Sequence, residues 1–215
     1  YNQLAWFDGT VGTVGMGNIA TFNDLSAFSV SCWVQRNGYN TSESRNAIIS
    51  KDNVIEILIR ESSAGNLTLI IDNDAQSFGV ELPDNELTHL VMTFAGGSPD
   101  TRKLYLNGTL RATNTDGSKA NTSVSGAESA AFTLGARNTS TYFSPGYLNE
   151  VSMWNKTLSL EEVQELFNDG KALDATTHSA SPSTGTDNLI GYWRNNGLAV
   201  WQDETSNDND ATPTN

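Results

Sequence analysis

The sequence predicts an all-β protein, an antiparallel sandwich or barrel, and three observations carry that prediction. Apolar and polar residues alternate with a period of two along many short runs. Clusters of Gly, Asn, Ser and Thr separate these runs roughly every ten residues, the spacing of strands joined by tight turns. One segment alone, WNKTLSLEEVQELFND at 154–169, reads as a helix. At 215 residues, with 37% hydrophobic and 17% charged residues, the chain fits one large β domain or two small ones, with a sizeable core.

The elements follow in order. AFSVSCWVQ places Phe28, Val30, Cys32 and Val34 on one face and Trp33 on the other. VIEILIR sets Val54, Glu56, Leu58 and Arg60 opposite Ile55, Ile57 and Ile59. NLTLIID, LTHLVMTF, RKLYLNGTLRAT, AFTLGAR and YLNEVSMW continue the pattern, and Asn107-Gly108 is a hairpin signal. In the helical segment Ser159 and Glu162 have the spacing of a capping box, and Gly170 is placed to end the helix. Val163, Leu166 and Phe167 are expected to pack on an end or edge of the sandwich, with Glu161 and Glu165 facing water. ATTHSASPSTGTD, 175–187, reads as a linker with little to enter a core. After it come two strand-like pieces around Asn195-Asn196-Gly197 and a polar tail, expected to return to the main sheet. No internal repeat is visible.

Charge narrows the function classes. A net charge of −13 argues against a nucleic-acid surface and against attachment to anionic lipid. It is compatible with neutral ligands such as sugars, or with divalent cations. The single cysteine, Cys32, reads as a buried thiol, the alternative being a reactive or pairing one, and no disulfide forms within one chain. No apolar run reaches the length of a membrane span, and no signal peptide opens the sequence.

Hydrolytic motifs are missing: there is no Gly-x-Ser-x-Gly, His-Glu-x-x-His or phosphate loop. The acidic stretch Glu81–Glu86 is a turn around Pro83, and the pairs Asp72/Asp74 and Asp208/Asp210 also fall in turns. His89 points away from Leu90 and Met92, a structural position rather than a catalytic one, and His178 lies in the linker without a recognisable partner. Sugar binding calls for aromatic platforms beside amide or carboxylate groups. Tyr39, Tyr142, Phe143 and Trp201 adjoin turn residues, whereas Trp6, Trp33, Trp154 and Trp193 sit in strand motifs and are expected in the core or on a sheet face. The stretch ARNTSTYFSPGY, 136–147, gathers Arg137, Asn138, Tyr142 and Phe143; with Tyr39 these are the candidate ligand residues. The alternative is that these aromatics cap the edge of the core.

An ordered set of segments resembles the laminin-G-like group of concanavalin-A-like jelly rolls. The set is FDG at 7–9, AFSVSCWV at 27–34, AIISK at 47–51, LTHLVMTF at 87–94, KLYLNGTL at 103–110, FTLGAR at 132–137 and GYLNEVSMWNKTLSLEEVQELFN at 146–168. The resemblance implies a jelly-roll sandwich whose last core strand is followed by one short helix. In the usual arrangement a strand like LIGYWR precedes FDG; here it follows the linker. The resemblance therefore implies a circular permutation: one domain over 1–215, with 1–174 as the main sandwich and 188–212 returning to complete the sheet. Competing arrangements are a second, truncated copy of the domain or pairing with a neighbouring subunit. The tail, GYWR followed by D-x-x-S-N-x-N, is also similar to modules of marine bacteriophage structural proteins.

Glucanases of this fold carry an E-x-D-x-x-E run, which is absent here, so the resemblance implies a protein that is not an enzyme. It also implies one calcium ion, with Asp8 and Asn149 as ligands. Asn149 stands where the family has an Asp, which keeps an oxygen and removes a charge. The expected function is a non-catalytic recognition or adhesion module that binds carbohydrate, extracellular or on a virion surface. Its expected partners are a cell-surface glycan or another surface protein, with an oligomer open. The alternative is a capsid-decoration or appendage subunit without glycan specificity; a glycan hydrolase is disfavoured.

Overall fold

A computed structural model describes residues 4–40, 42–60, 65–116, 121–124, 130–180, 188–197 and 199–214. In chain order its strands begin with β1 (Ala5–Asp8), β2 (Thr13–Gly17), β3 (Ala27–Arg36), β4 (Arg45–Lys51) and β5 (Ile55–Arg60). They continue with β6 (Asn66–Ile71), β7 (Asp74–Glu81), β8 (Thr88–Ala95), β9 (Asp100–Leu106) and β10 (Thr109–Asp116). The series ends with β11 (Phe132–Leu134), β12 (Pro145–Trp154), β13 (Leu189–Trp193) and β14 (Thr212–Thr214). The helix α1 (Leu160–Phe167) follows β12.

Two seven-stranded antiparallel sheets form a sandwich. The first runs β1-β12-β3-β8-β9-β10, with β13 also on β12; the second runs β14-β2-β11-β4-β5-β6-β7. Alternation decides which side chains meet between them. Phe28, Val30, Cys32, Leu90, Met92 and Phe94 come from the first sheet and Ile49, Ile55, Ile57, Ile59 and Leu69 from the second, all in one buried cluster. Cys32 is a free thiol in that core, and burial pushes its pKa far up. Asn107 and Gly108 both take positive φ, 50° and 72°, the conformation a two-residue hairpin between β9 and β10 requires.

The returning strand joins the first sheet, antiparallel to β12 of the same chain. β12 is long enough to hold two neighbours end to end on one flank: its first half pairs with β1, Leu148 opposite Ala5, and its second half with β13, Val151 opposite Trp193. Between the halves Glu150 takes φ 52° and the register of β12 on β3 slips by one residue between Asn149 and Ser152. Asp203 then ties the tail back, accepting from the Tyr192 N–H (3.0 Å) and from the Asn209 N–H (3.1 Å).

Several elements differ from expectation. The helix begins as predicted, with the reciprocal Ser159–Glu162 capping box, but Asn168 at φ 47° caps its end before Gly170 is reached, an αL position that Asn tolerates. Instead of an end or edge, α1 covers the outer face of the first sheet, where Val163 and Leu166 pack with Val91, Tyr105, Trp154 and Tyr192. Phe167 is half-buried and stacks on Trp33 at 5.8 Å. The first part of the expected linker is packed as well: Ala175, His178 and Ala180 are buried. His178 is partnered, through Nε2 with the Glu162 carbonyl (2.9 Å) and through Nδ1, which accepts from the Ala180 N–H (3.0 Å). Residues 181–187 of that stretch lie outside the described residues. The two tryptophans nearest the ends exchange expectations: Trp201 is 2% exposed and belongs to the core, whereas Trp6 is 54% exposed.

Candidate functional site

The outer face of the second sheet carries the residues that alternation sets opposite the core. Arg45 and Ala47 of β4, Glu56, Leu58 and Arg60 of β5, and Thr68 and Ile70 of β6 share this face, since they pair directly across the strands. Ala47, Leu58 and Ile70 form a small apolar floor, and Tyr142 packs on it.

The loop between β11 and β12 delivers Tyr142 to that floor. It closes on itself through the Arg137 N–H donating to the Thr141 carbonyl (2.8 Å) and the Ser144 N–H donating to that of Gly135 (2.8 Å). The Ala47 N–H donates to the Tyr142 carbonyl (2.7 Å), and the Asn46 amide to the Phe143 carbonyl (2.9 Å), which binds the loop to β4. Tyr142 sits at φ 55°, a region a bulky residue occupies only when its surroundings hold it there. Two guanidinium groups, those of Arg45 and Arg137, each lie 5.5 Å from the centre of its half-buried ring.

Arg137 anchors the loop to the turn between β4 and β5. Its Nε donates to Asp52 (2.6 Å) and lies 3.1 Å from a Glu56 carboxylate oxygen, and its NH2 group bonds the Asn53 side chain. Burial opposes the Arg137 charge, but Glu56 and Asp52 more than offset it and raise its pKa. Asn138 is exposed and donates to the second Asp52 oxygen (3.0 Å). Polar atoms on this face nonetheless go unsatisfied: Ser50 Oγ, Glu56 Oε2, Thr68 Oγ1 and Arg60 Nε are shut off from solvent without a hydrogen-bond partner. Such atoms cost about 1–3 kcal/mol each unless water or a ligand answers them.

Of the candidate ligand residues, Arg137, Asn138 and Tyr142 therefore stand together at one face, Phe143 joins them through its backbone carbonyl, and Tyr39 stands apart. The Tyr39 ring lies under the Arg36 guanidinium (4.4 Å), and Arg36 in turn pairs with Glu81 (3.1 Å) and Asp84 (3.4 Å). Tyr39 packs against the main core, and burial raises its pKa; it caps the core edge. Arg45, Asp52, Glu56 and Arg60 complete the face and were not singled out from sequence, although the alternation of 54–60 already put Glu56 and Arg60 on one side.

Asp8 and Asn149 do not fit a shared calcium site. One Asp8 oxygen accepts from the N–H groups of Thr10, Val11 and Gly12, and the other from the Thr10 hydroxyl (2.7 Å). These bonds depress its pKa, the Val11 N–H most. Asp8 pairs with Pro145, four positions along β12 from buried Asn149, a separation of about 13 Å at strand rise. Asn149 Oδ1 accepts from the Asn195 N–H (2.7 Å). Among the described residues no group of three or more His, Cys, Asp or Glu is arranged to hold a metal ion.

A second surface feature lies at the edge, where Trp6, tilted against Tyr147 at 4.9 Å, borders a groove of about 280 Å³ lined also by Asn195, Trp201 and Thr214. It offers one aromatic face but none of the unsatisfied polar atoms found around Tyr142.

Comparison with known proteins agrees with the fold. A carbohydrate-binding assignment accompanies one similar structure, a Bacteroides ovatus protein with TM-score 0.74 and 14% identity, aligned over 99% of this chain and 58% of its own. The chain thus spans little more than half the length of that protein. A heptameric pentraxin from Limulus polyphemus aligns with TM-score 0.57 and 14% identity over 75% of this chain and 80% of its own. Domain 4 of an extracellular arabinanase from Geobacillus stearothermophilus, solved with arabinotriose, aligns with TM-score 0.54 and 20% identity over 75% of this chain and 74% of its own. No curated protein matches the sequence. The family model of the concanavalin A-like lectin/glucanases superfamily (Laminin_G_3) matches residues 8–164, so the chain belongs to that superfamily.

Proposed function

We propose that the protein is a non-catalytic carbohydrate-recognition module that takes its ligand on the outer face of the second sheet, at Tyr142. The observation that carries this reading is the Tyr142 ring, set near two guanidiniums over a small apolar floor and bordered by unpartnered polar atoms. A sugar presents an apolar ring face and many hydroxyls, and such a surface matches both. The carbohydrate-binding assignment of the Bacteroides ovatus protein and the arabinotriose bound with the arabinanase domain support it, as does the superfamily itself. Binding rather than hydrolysis is supported by the placement of Asp52 and Glu56. Both carboxylates approach the same Arg137 nitrogen, at 2.6 and 3.1 Å, instead of flanking a saccharide-sized gap. Such a module works where glycans are displayed, at a cell or virion surface.

The test is a glycan array followed by calorimetry with wild type and Tyr142→Ala. A saccharide bound by wild type should lose about tenfold or more in affinity in the variant. Undiminished binding by the variant, or turnover of any polysaccharide in the panel, would overturn the reading.

A further inference from the structure

Arg45 and Arg60 are direct cross-strand partners on β4 and β5. Like charges in that position repel, and folded proteins normally interleave a carboxylate. Here none does. Among the described residues neither arginine makes an ion pair, while Arg36, Arg102, Arg137 and Arg194 all do. Arg60 Nε is also enclosed without a hydrogen-bond partner. Burial first, and repulsion from Arg45 second, push the Arg60 pKa down, so the folded protein holds this charge at a cost. Glu56, four residues before Arg60 on β5, gives one oxygen to Arg137 at 3.1 Å and to the Asn53 N–H at 2.9 Å, and its charge offsets only part of that cost. In a chain of net charge −13, two adjacent guanidiniums that form no ion pair among the described residues, one of them beside the Tyr142 ring, are an anion-binding arrangement.

We propose that the Tyr142 face selects saccharides bearing an anionic group, a carboxylate or a sulfate ester, which Arg45 and Arg60 clasp while the sugar ring lies against Tyr142. This rests on the reading of the same face as a saccharide site and adds its ligand class. An anion placed there answers Arg60 Nε and turns the Arg45–Arg60 repulsion into shared attraction. Two planar guanidiniums suit a bidentate oxyanion better than a hydroxyl.

The experiment compares three probes by calorimetry: an oligogalacturonate, the same oligosaccharide with its carboxyl groups reduced, and a sulfated galactan oligosaccharide. At least one charged probe should bind about ten- to a hundredfold more tightly than the reduced one, with the preference fading as salt is raised. Whichever charged probe binds more tightly identifies carboxylate or sulfate as the group recognised. Arg45→Gln and Arg60→Gln should each erase the preference, lowering affinity for the charged probe by a larger factor than affinity for the reduced one. Their ligand-free melting temperatures should equal or exceed that of wild type, because a repulsion has been removed; this separates lost recognition from lost folding. Equal affinity for charged and reduced probes, both abolished by Tyr142→Ala, would overturn the anionic preference and leave the carbohydrate reading standing. A preference that survives in the Arg45→Gln, Arg60→Gln double variant would overturn the assignment to these residues. Binding of no saccharide at all would remove the carbohydrate reading and this one with it.

Discussion

Gly191 and Trp193 of β13 are packed so closely that a Cβ on Gly191 would lie 2.2 Å from Cη2 of the indole. The Trp193 ring folds back over Gly191 while its Nε1–H donates to the Asn209 carbonyl (2.7 Å), fixing the tail in the core. Gly191→Ala therefore forces the ring off its seat and should lower unfolding free energy by about 1–3 kcal/mol in a urea titration. An unchanged midpoint would show that β13 contributes less to the core than its packing indicates.

Arg102 is wholly buried and bonds Asp74 (2.7 Å) and Asp100 (2.9 Å), together with the carbonyls of Leu69 and Asp74. Arg102→Met takes a buried guanidinium from the two carboxylates it bonds, so a loss of about 3–5 kcal/mol is expected by denaturant titration. Adding Asp74→Asn and Asp100→Asn to Arg102→Met should recover part of that loss, because the buried carboxylate charges are removed together with the guanidinium.

His89 gives a pH signature. It is 2% exposed, its Nε2 lies 2.9 Å from Ser31 Oγ, and burial lowers its pKa to about 3. In the unfolded chain the ring titrates near 6.5. Between these values the unfolded chain binds a proton that the folded chain refuses. The contribution is complete above about pH 6.5 and is lost as pH falls towards 3. Glu150, lining the same small cavity, works in the opposite sense. Burial raises its pKa, so its contribution is lost as pH rises through that raised value. Melting temperatures of wild type and His89→Gln across pH 3–7 should show a shallower acid decline in the variant; parallel curves would contradict the assignment.

The Ser159 side chain accepts from the Glu162 N–H (3.2 Å), and the Ser159 N–H donates to the Glu162 carboxylate (2.7 Å). Ser159→Ala should cost about 1 kcal/mol of stability by thermal or urea unfolding, and much less if the helix were incidental to the fold.

Legibility in the sequence followed the range of the interactions. The strands were readable because each has one face in a common core, as Ile55, Ile57 and Ile59 do, and a period of two records that locally. The capping box was readable because its partners are three residues apart. The candidate site was half readable: Arg137, Asn138, Tyr142 and Phe143 adjoin in sequence, but Asp52, which grips Arg137, is 85 residues away. Nor does alternation tell which outer face another element will cover. Trp6 reads as a strand residue and Trp201 as a turn-side aromatic, and only the closing of the sheets leaves the first in solvent and the second inside. Ala175, His178 and Ala180 have the composition of a loop and are buried because α1, Trp154 and Leu189 offer them a surface.

β13 and β14 come from one short stretch yet join different sheets, the first along β12 and the second along β2, where Thr214 stands opposite Thr13 across 201 residues of chain. Synthesis order therefore works against folding order. While the ribosome is still extending the chain, β2 and the second half of β12 lack these neighbours and present unpaired edges to other nascent chains. The sandwich closes only once residue 214 has cleared the exit tunnel. Until then the net charge of −13 helps to keep such exposed edges of neighbouring chains apart.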